Sequence, residues 1–193
     1  MRFVAALVLL GATAFAIPPL PRKAPEFTVV QASGQKIQLS GEKGKVVVLA
    51  FMETTCPHCQ AESQMITKML KDMGPRGVVA LGVAFNQGVT GAMVADFMHQ
   101  FNVGFPVGYS TEDPVVSFLG LSVMDRYVVP QVVVIDKNGM IRAQTEPLGN
   151  ENPSLKSEPN LRNLLEGLLK EGGPGTTSSN AAKKTVAATK KAN

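Results

Sequence analysis

The chain has 193 residues, 45% hydrophobic and 18% charged, with a mean hydropathy of +0.10, which fits one ordinary domain with appendages and excludes wholesale disorder. Two cysteines are too few for a disulfide scaffold or a cysteine-rich zinc module. The net charge of +4 comes from Lys183, Lys184, Lys190 and Lys191 at the C-terminal end; the remaining 15 basic residues match 15 acidic ones, so the body offers nucleic acid no electrostatic footprint.

Met1-Arg2 is followed by an apolar run from Phe3 to Ile17 that contains Ala14-Phe15-Ala16. A basic start, a short apolar stretch and an A-x-A site predict a secretory signal over residues 1–16. The run falls short of the ~20 residues that span a bilayer comfortably. A membrane anchor is therefore expected only if the segment is retained, and the expected location is extracytoplasmic, in the periplasm or secreted. Residues 17–25 hold Pro18, Pro19, Pro21 and Pro25 and predict an extended spacer. The folded domain is expected over 26–171, and the Gly/Thr/Ser/Ala/Lys-rich stretch 172–193 as a disordered tail.

Within the domain, Phe27–Val30 and Ile37–Leu39 flank Ser33-Gly34-Gln35 and predict an N-terminal hairpin. Val46–Phe51 is an unbroken apolar run, as expected of a strand covered on both faces. From Pro57 to Met73 apolar residues recur at helical spacing (Met65, Ile66, Met69, Leu70, Met73) and Gly74-Pro75 ends the run. Val78–Phe85 predicts a second buried strand, Gly91–Phe101 a second helix and Phe105–Tyr109 a short strand. Asp113 is a candidate cap for a helix opening at Pro114. Gln131–Asp136 and Met140–Gln144 form a hairpin through Asn138-Gly139, and Leu161–Lys170 predicts the last helix. Alternating strands and helices closed by a hairpin and a helix indicate an α/β sandwich with a central mixed sheet.

One motif carries chemistry. Cys56-Pro57-His58-Cys59 follows a buried strand and opens a helix. Pro57 suits the first helical position, which sets Cys56 at the helix N-terminus, where free N–H groups and the dipole favour a thiolate. The Cys56 thiol is thus expected below the free value of about 8.5, as the attacking sulfur, with Cys59 one turn further on to resolve the bond. His58 adds a donor beside the anion, which would favour the reduced form. A structural disulfide closing so short a loop would gain only roughly 2 kcal/mol, against about 3 for a 15-residue loop. Zinc needs four ligands, and the chain offers these cysteines, His58 and a distant His99. No cofactor and no bound metal are expected. The methionines invite a copper reading, but Met52, Met65, Met69, Met73, Met93 and Met98 sit at ordinary core spacing.

The segment Phe51-Met52-Glu53-Thr54-Thr55-Cys56-Pro57-His58-Cys59-Gln60-Ala61-Glu62 resembles the active-site stretch of thioredoxin-like proteins, and most of all the TlpA/ResA-type extracytoplasmic thiol–disulfide oxidoreductases. Ala24-Pro25-Glu26-Phe27, Gly44–Phe51 and Val129-Pro130 before Val132–Asp136 match that type too, so the likeness covers residues 24–171. It implies a thioredoxin-like fold and exchange with protein thiols and disulfides, including a membrane electron donor or acceptor, by a monomer. It also implies a cis Val129–Pro130 bond facing Cys56, and Glu62 as the acid that handles the Cys59 proton. The buried acid that thioredoxins themselves carry six residues before the first cysteine is replaced by Ala50. The flanking tryptophans of the type are replaced by Met52 and Thr55, and the Pro57-His58 pair resembles that of the oxidant DsbA, which leaves the direction of electron flow open. Two other readings remain. A peroxiredoxin-like thiol peroxidase would need threonine and proline where Glu53 and Leu49 stand, and a copper or metal carrier would use the two sulfurs as soft ligands.

Overall fold

The computed structural model describes residues 18–122, 124–149, 152–155 and 157–172. The expected signal segment and the tail beyond Gly172 lie outside them. The strands are β1 (Arg22–Lys23), β2 (Thr28–Gln31), β3 (Lys36–Gln38), β4 (Val46–Met52), β5 (Val78–Ala84), β6 (Val107–Tyr109), β7 (Gln131–Ile135) and β8 (Met140–Gln144). The helices are α1 (Pro57–Met73), α2 (Gly91–Gln100), α3 (Glu112–Leu119) and α4 (Glu158–Lys170). All eight strands join one sheet in the order β1-β8-β7-β4-β5-β6-β2-β3. The β4–β5 and β5–β6 pairs are parallel and the others antiparallel, so the sheet is mixed.

Burial on β4 explains its unbroken apolar sequence. Val46, Val48, Ala50 and Met52 pack toward α1, α2 and α4 with Ile66, Met69, Phe97, Leu161 and Leu165. Val47, Leu49 and Phe51 point the other way, onto α3 and the N-terminal hairpin. Successive residues of a strand alternate faces, so a strand between two helical layers has no position left for a polar side chain. On the α3 side Phe27, Phe51 and Phe118 form an aromatic triangle, with ring centroids 5.4 to 5.5 Å apart.

Several boundaries differ from the sequence reading. Helix α3 begins at Glu112, after Thr111, rather than at Pro114 with Asp113 as cap. Glu112 and Asp113 thereby enter the first turn, where negative charge is favoured, and Pro114 still falls where no N–H is missed. Helix α4 begins at Glu158, ahead of Leu161, because the Ser157 hydroxyl accepts the Asn160 N–H at 3.4 Å.

The proline-rich segment is extended, as its prolines require, but it belongs to the fold. Arg22 and Lys23 pair with Ile141 and Met140 at the sheet edge, and the Ala24 N–H donates to Gly139 O at 2.9 Å. At the same turn Lys137 Nζ donates to Leu169 O (2.6 Å) and Glu171 O (3.0 Å), beyond which α4 ends. Arg22 Nη2 donates to Gln144 Oε1 at 2.8 Å and to the Phe118 and Leu119 carbonyls at the end of α3 (3.2 and 3.4 Å). A cation on last-turn carbonyls meets both their unmet hydrogen bonds and the negative end of the helix. Arg22→Ala is therefore expected to cost about 1–2 kcal/mol in chemical denaturation; a loss within error of zero would make the contact incidental.

Candidate active site

The end of β4 and the start of α1 are four residues apart, and that turn is held from three sides. The Cys56 N–H donates to Glu53 O at 3.2 Å. Asn86 Oδ1 accepts from the Thr54 N–H (3.2 Å) and hydroxyl (3.4 Å), and Gln60 Nε2 donates to Thr54 O at 3.3 Å. Cys56 is left as the N-cap of α1, in extended conformation, with Pro57 in the first helical turn. Its Sγ accepts the Cys59 N–H at 3.4 Å, so one of the free donors of the helix start is aimed at this sulfur. On its other side the thiol faces Val129 O at 3.8 Å.

The two cysteines differ in access. Both are free thiols; Cys56 is half-buried, whereas Cys59 is 0% exposed and packs in the α1 core. Burial, reinforced by the neighbouring Cys56 sulfur, pushes the Cys59 thiol well above the usual thiol range. One helical turn on, the buried Ser63 hydroxyl donates to Cys59 O at 2.8 Å. Only the outer sulfur can be reached from solution; the inner one is placed to react with whatever has joined the outer one.

Beside Cys56 runs a groove of about 930 Å³ lined by His58, Glu62, Met65, Val129, Pro130 and Leu148 among others. The Val129–Pro130 bond is cis. Glu62 sits half-buried in this wall, and burial pushes its carboxyl up to about 7. His58 is exposed at the mouth. The structure thus brings Cys56, Cys59, His58, Glu62 and Pro130 to one place. No group of three or more His, Cys, Asp or Glu side chains that could hold a metal occurs among the described residues.

Residues 20–144 match the model of the AhpC/TSA family. The chain belongs to that family. Among its relatives, the thiol-disulfide oxidoreductase ResA of Bacillus anthracis is 26% identical over 183 residues, covering 90% of this chain and 95% of its own. ResA of Bacillus subtilis strain 168 is 32% identical over 118 residues, 61% of this chain and 62% of the relative. The crystal structure of a thiol:disulfide interchange protein of the thioredoxin family from Chlorobium tepidum TLS superposes with a TM-score of 0.64 at 24% identity, covering 79% of this chain and 99% of that one. The fold is thioredoxin-like.

The sequence reading missed two residues that build the site. Gln131, buried at the start of β7, donates through Nε2 to Val128 O (2.7 Å), Pro147 O (3.2 Å) and Glu146 O (3.3 Å). It ties together the two loops that form the far wall of the groove. Its signal was present: a lone amide opening the apolar run 131–135 must find partners if buried. Asn86 had no such signal, because its contact with Thr54 spans 32 residues.

Proposed function

We propose that the chain is an exported thiol–disulfide oxidoreductase acting on protein thiols and disulfides. The observation that carries this is the unequal pair of thiols, Cys56 reachable at the helix start and Cys59 sealed one turn below it. Cys56 attacks one sulfur of a partner's disulfide, a mixed disulfide forms, and the other partner sulfur leaves as a thiol. Cys59 gives up its proton and attacks Cys56, which releases the second partner thiol and leaves the Cys56–Cys59 disulfide. Run backwards, the same steps oxidise a partner dithiol, so the direction is set by potentials rather than by geometry. The names of the ResA relatives support this chemistry, and the signal-like segment 1–16 supports export. A membrane electron donor or acceptor is the expected regenerating partner, and the chain acts as a monomer.

In this reading Pro130 and the Val129 carbonyl face the partner chain, His58 stands at the entrance, and Glu62 accepts the Cys59 proton. An acid that titrates near neutrality, close to a thiol that burial holds protonated, is suited to that transfer. The peroxidase reading is disfavoured by Leu49, fully buried in β4, and by Glu53 at the positions such a pocket needs.

Reduction of a peptide disulfide, followed as a function of pH, tests the reading. Wild-type turnover is expected to inflect near pH 7, where Glu62 titrates. Glu62→Gln is expected to lose that inflection and slow resolution by roughly 10²-fold, the low end for acid–base catalysis. Stability gives a second readout. The Glu62 pKa is raised on folding from its ordinary 4.5 to about 7, so folding is favoured while the carboxyl is protonated and that advantage fades as pH climbs through this window. Glu62→Gln should thus raise the melting temperature above pH 7 and leave it unchanged near pH 4. A flat pH profile in both proteins would remove Glu62 from the mechanism.

A further inference from the structure

The groove and Glu62 account for one flank of the thiol pair. The opposite flank carries titratable groups with no part in the mechanism above: Glu53, Glu112 and Tyr127. Tyr127 lies over Phe85 with ring centroids 6.1 Å apart, and the Phe85 N–H donates to Met52 O at 3.1 Å, which sets the tyrosine at the end of β4 where Glu53 follows. The Tyr127 hydroxyl donates to Glu112 at the start of α3, so its proton is already engaged.

Glu53 has no such partner. Among the described residues it takes part in no ion pair, and it is half-buried. Its backbone position is fixed by the turn: the hydrogen bond from the Cys56 N–H to Glu53 O spans three residues, which brings the two Cα atoms within about 7 Å. The anchoring of Thr54 by Asn86 and Gln60 leaves this turn little freedom to carry the carboxylate away. The Glu53 charge disfavours ionisation of the Cys59 thiol and of the Tyr127 hydroxyl alike, while at Cys59 a hydrogen bond with the Glu53 backbone acts in the opposite sense.

We infer that Glu53 is a potential-setting residue, a fixed anion whose repulsion of thiolate charge biases the Cys56–Cys59 couple toward the disulfide. The inference rests on the couple proposed above and adds a determinant of its direction. Reducing the disulfide takes two electrons, supplied here by two molecules of reduced glutathione that leave as one oxidised molecule. The two sulfurs take up two protons if both emerge neutral, and one if one emerges as thiolate. Only the second product carries a charge that Glu53 repels. The groups around the pair are Glu53 on the turn, His58 and Glu62 on α1, and, beyond Glu53, Tyr127 with Glu112. Glu53 is the one carboxylate among them that neither accepts a hydrogen bond, as Glu112 does from Tyr127, nor lies in the groove wall, as Glu62 does, and it pushes the protein toward acting as a reductant.

The test equilibrates the purified protein with reduced and oxidised glutathione at about pH 6 and about pH 9.5, below and above the ordinary thiol value of about 8.5. In Glu53→Gln the equilibrium should move toward the reduced protein by about three- to tenfold at the higher pH, and by much less at the lower. Glu53→Asp keeps the charge and should stay close to wild type; Glu53→Ala repeats the test should the amide disturb the turn. Equal constants for wild type and both charge-removing variants at the higher pH would overturn the inference. So would an equal shift in Glu53→Asp, which would mean that shape rather than charge is responsible. If wild type itself forms no intramolecular disulfide under oxidised glutathione, the couple fails, and the role of Glu53 falls with it; a couple that forms but ignores Glu53 sinks the role alone.

Discussion

Cys56→Ser should abolish disulfide exchange, while Cys59→Ser should accumulate a covalent complex with the partner. The difference follows from access. The Cys56 sulfur is reachable, lies 3.8 Å from Val129 O and receives the Cys59 N–H, whereas Cys59 is 0% exposed. No outside disulfide can reach the inner thiol, so losing the outer one leaves nothing to start the reaction. Losing the inner one leaves the first step intact and removes the second. A serine hydroxyl fits either position but cannot replace a thiolate as nucleophile at neutral pH. A non-reducing gel of Cys59→Ser mixed with a disulfide substrate should show one new band that disappears with dithiothreitol. Multiple turnovers by Cys59→Ser would mean that the sulfurs are misassigned, and turnover by Cys56→Ser that the chemistry lies elsewhere.

The second large effect is on the fold. Phe51→Ala is expected to cost about 3–5 kcal/mol, a large part of the roughly 5–15 kcal/mol that holds a domain of this kind together. Phe51 is 0% exposed and its ring meets Phe27 edge-on and Phe118 at a tilt, both at 5.4 Å. The three rings come from the segment entering β2, the central strand and α3, so a cavity here loosens three separate parts of the chain. Nor can it be refilled, because the opposite face of β4 is packed against α1, α2 and α4. Urea unfolding should show a lower midpoint at similar slope; a loss under about 1 kcal/mol would mean that the neighbours collapse into the space. Because β4 runs straight into the Cys56 turn, the same variant should also lose activity at temperatures where wild type keeps it.

The central strand, the long helix and the two cysteines were legible in the sequence because each is a short-range signal. A two-sided apolar run, a helical stripe and a four-residue motif all reveal themselves within a window of some twenty positions. What escaped depends on residues far apart in the chain. The edge strand β1 exists only because Ile141 and Met140 offer it partners. The ordering of the groove wall by Gln131 needs carbonyls at 146 and 147. The titration of Glu62 near neutrality cannot be read from its spacing to Cys59, since its burial depends on how distant segments pack around the groove that it lines with Val129 and Pro130. The start of α3 was misplaced for a smaller reason: Thr111 and Asp113 both suit a cap, and the helix takes Asp113 into its first turn instead.

The turn at residues 137–139 holds both the strand that enters the fold and the helix that leaves it, through Ala24 on one side and Leu169 and Glu171 on the other. Since Ile135 lies opposite Val47 and Gln131 opposite Phe51, this turn is at the far pole of the sheet, roughly 20 Å of strand from the reactive sulfur. The end of α4 is therefore held at the pole opposite the sulfur, whereas the segment ahead of Ala24 runs back from that turn along β8, where Pro18 lies against Gly120.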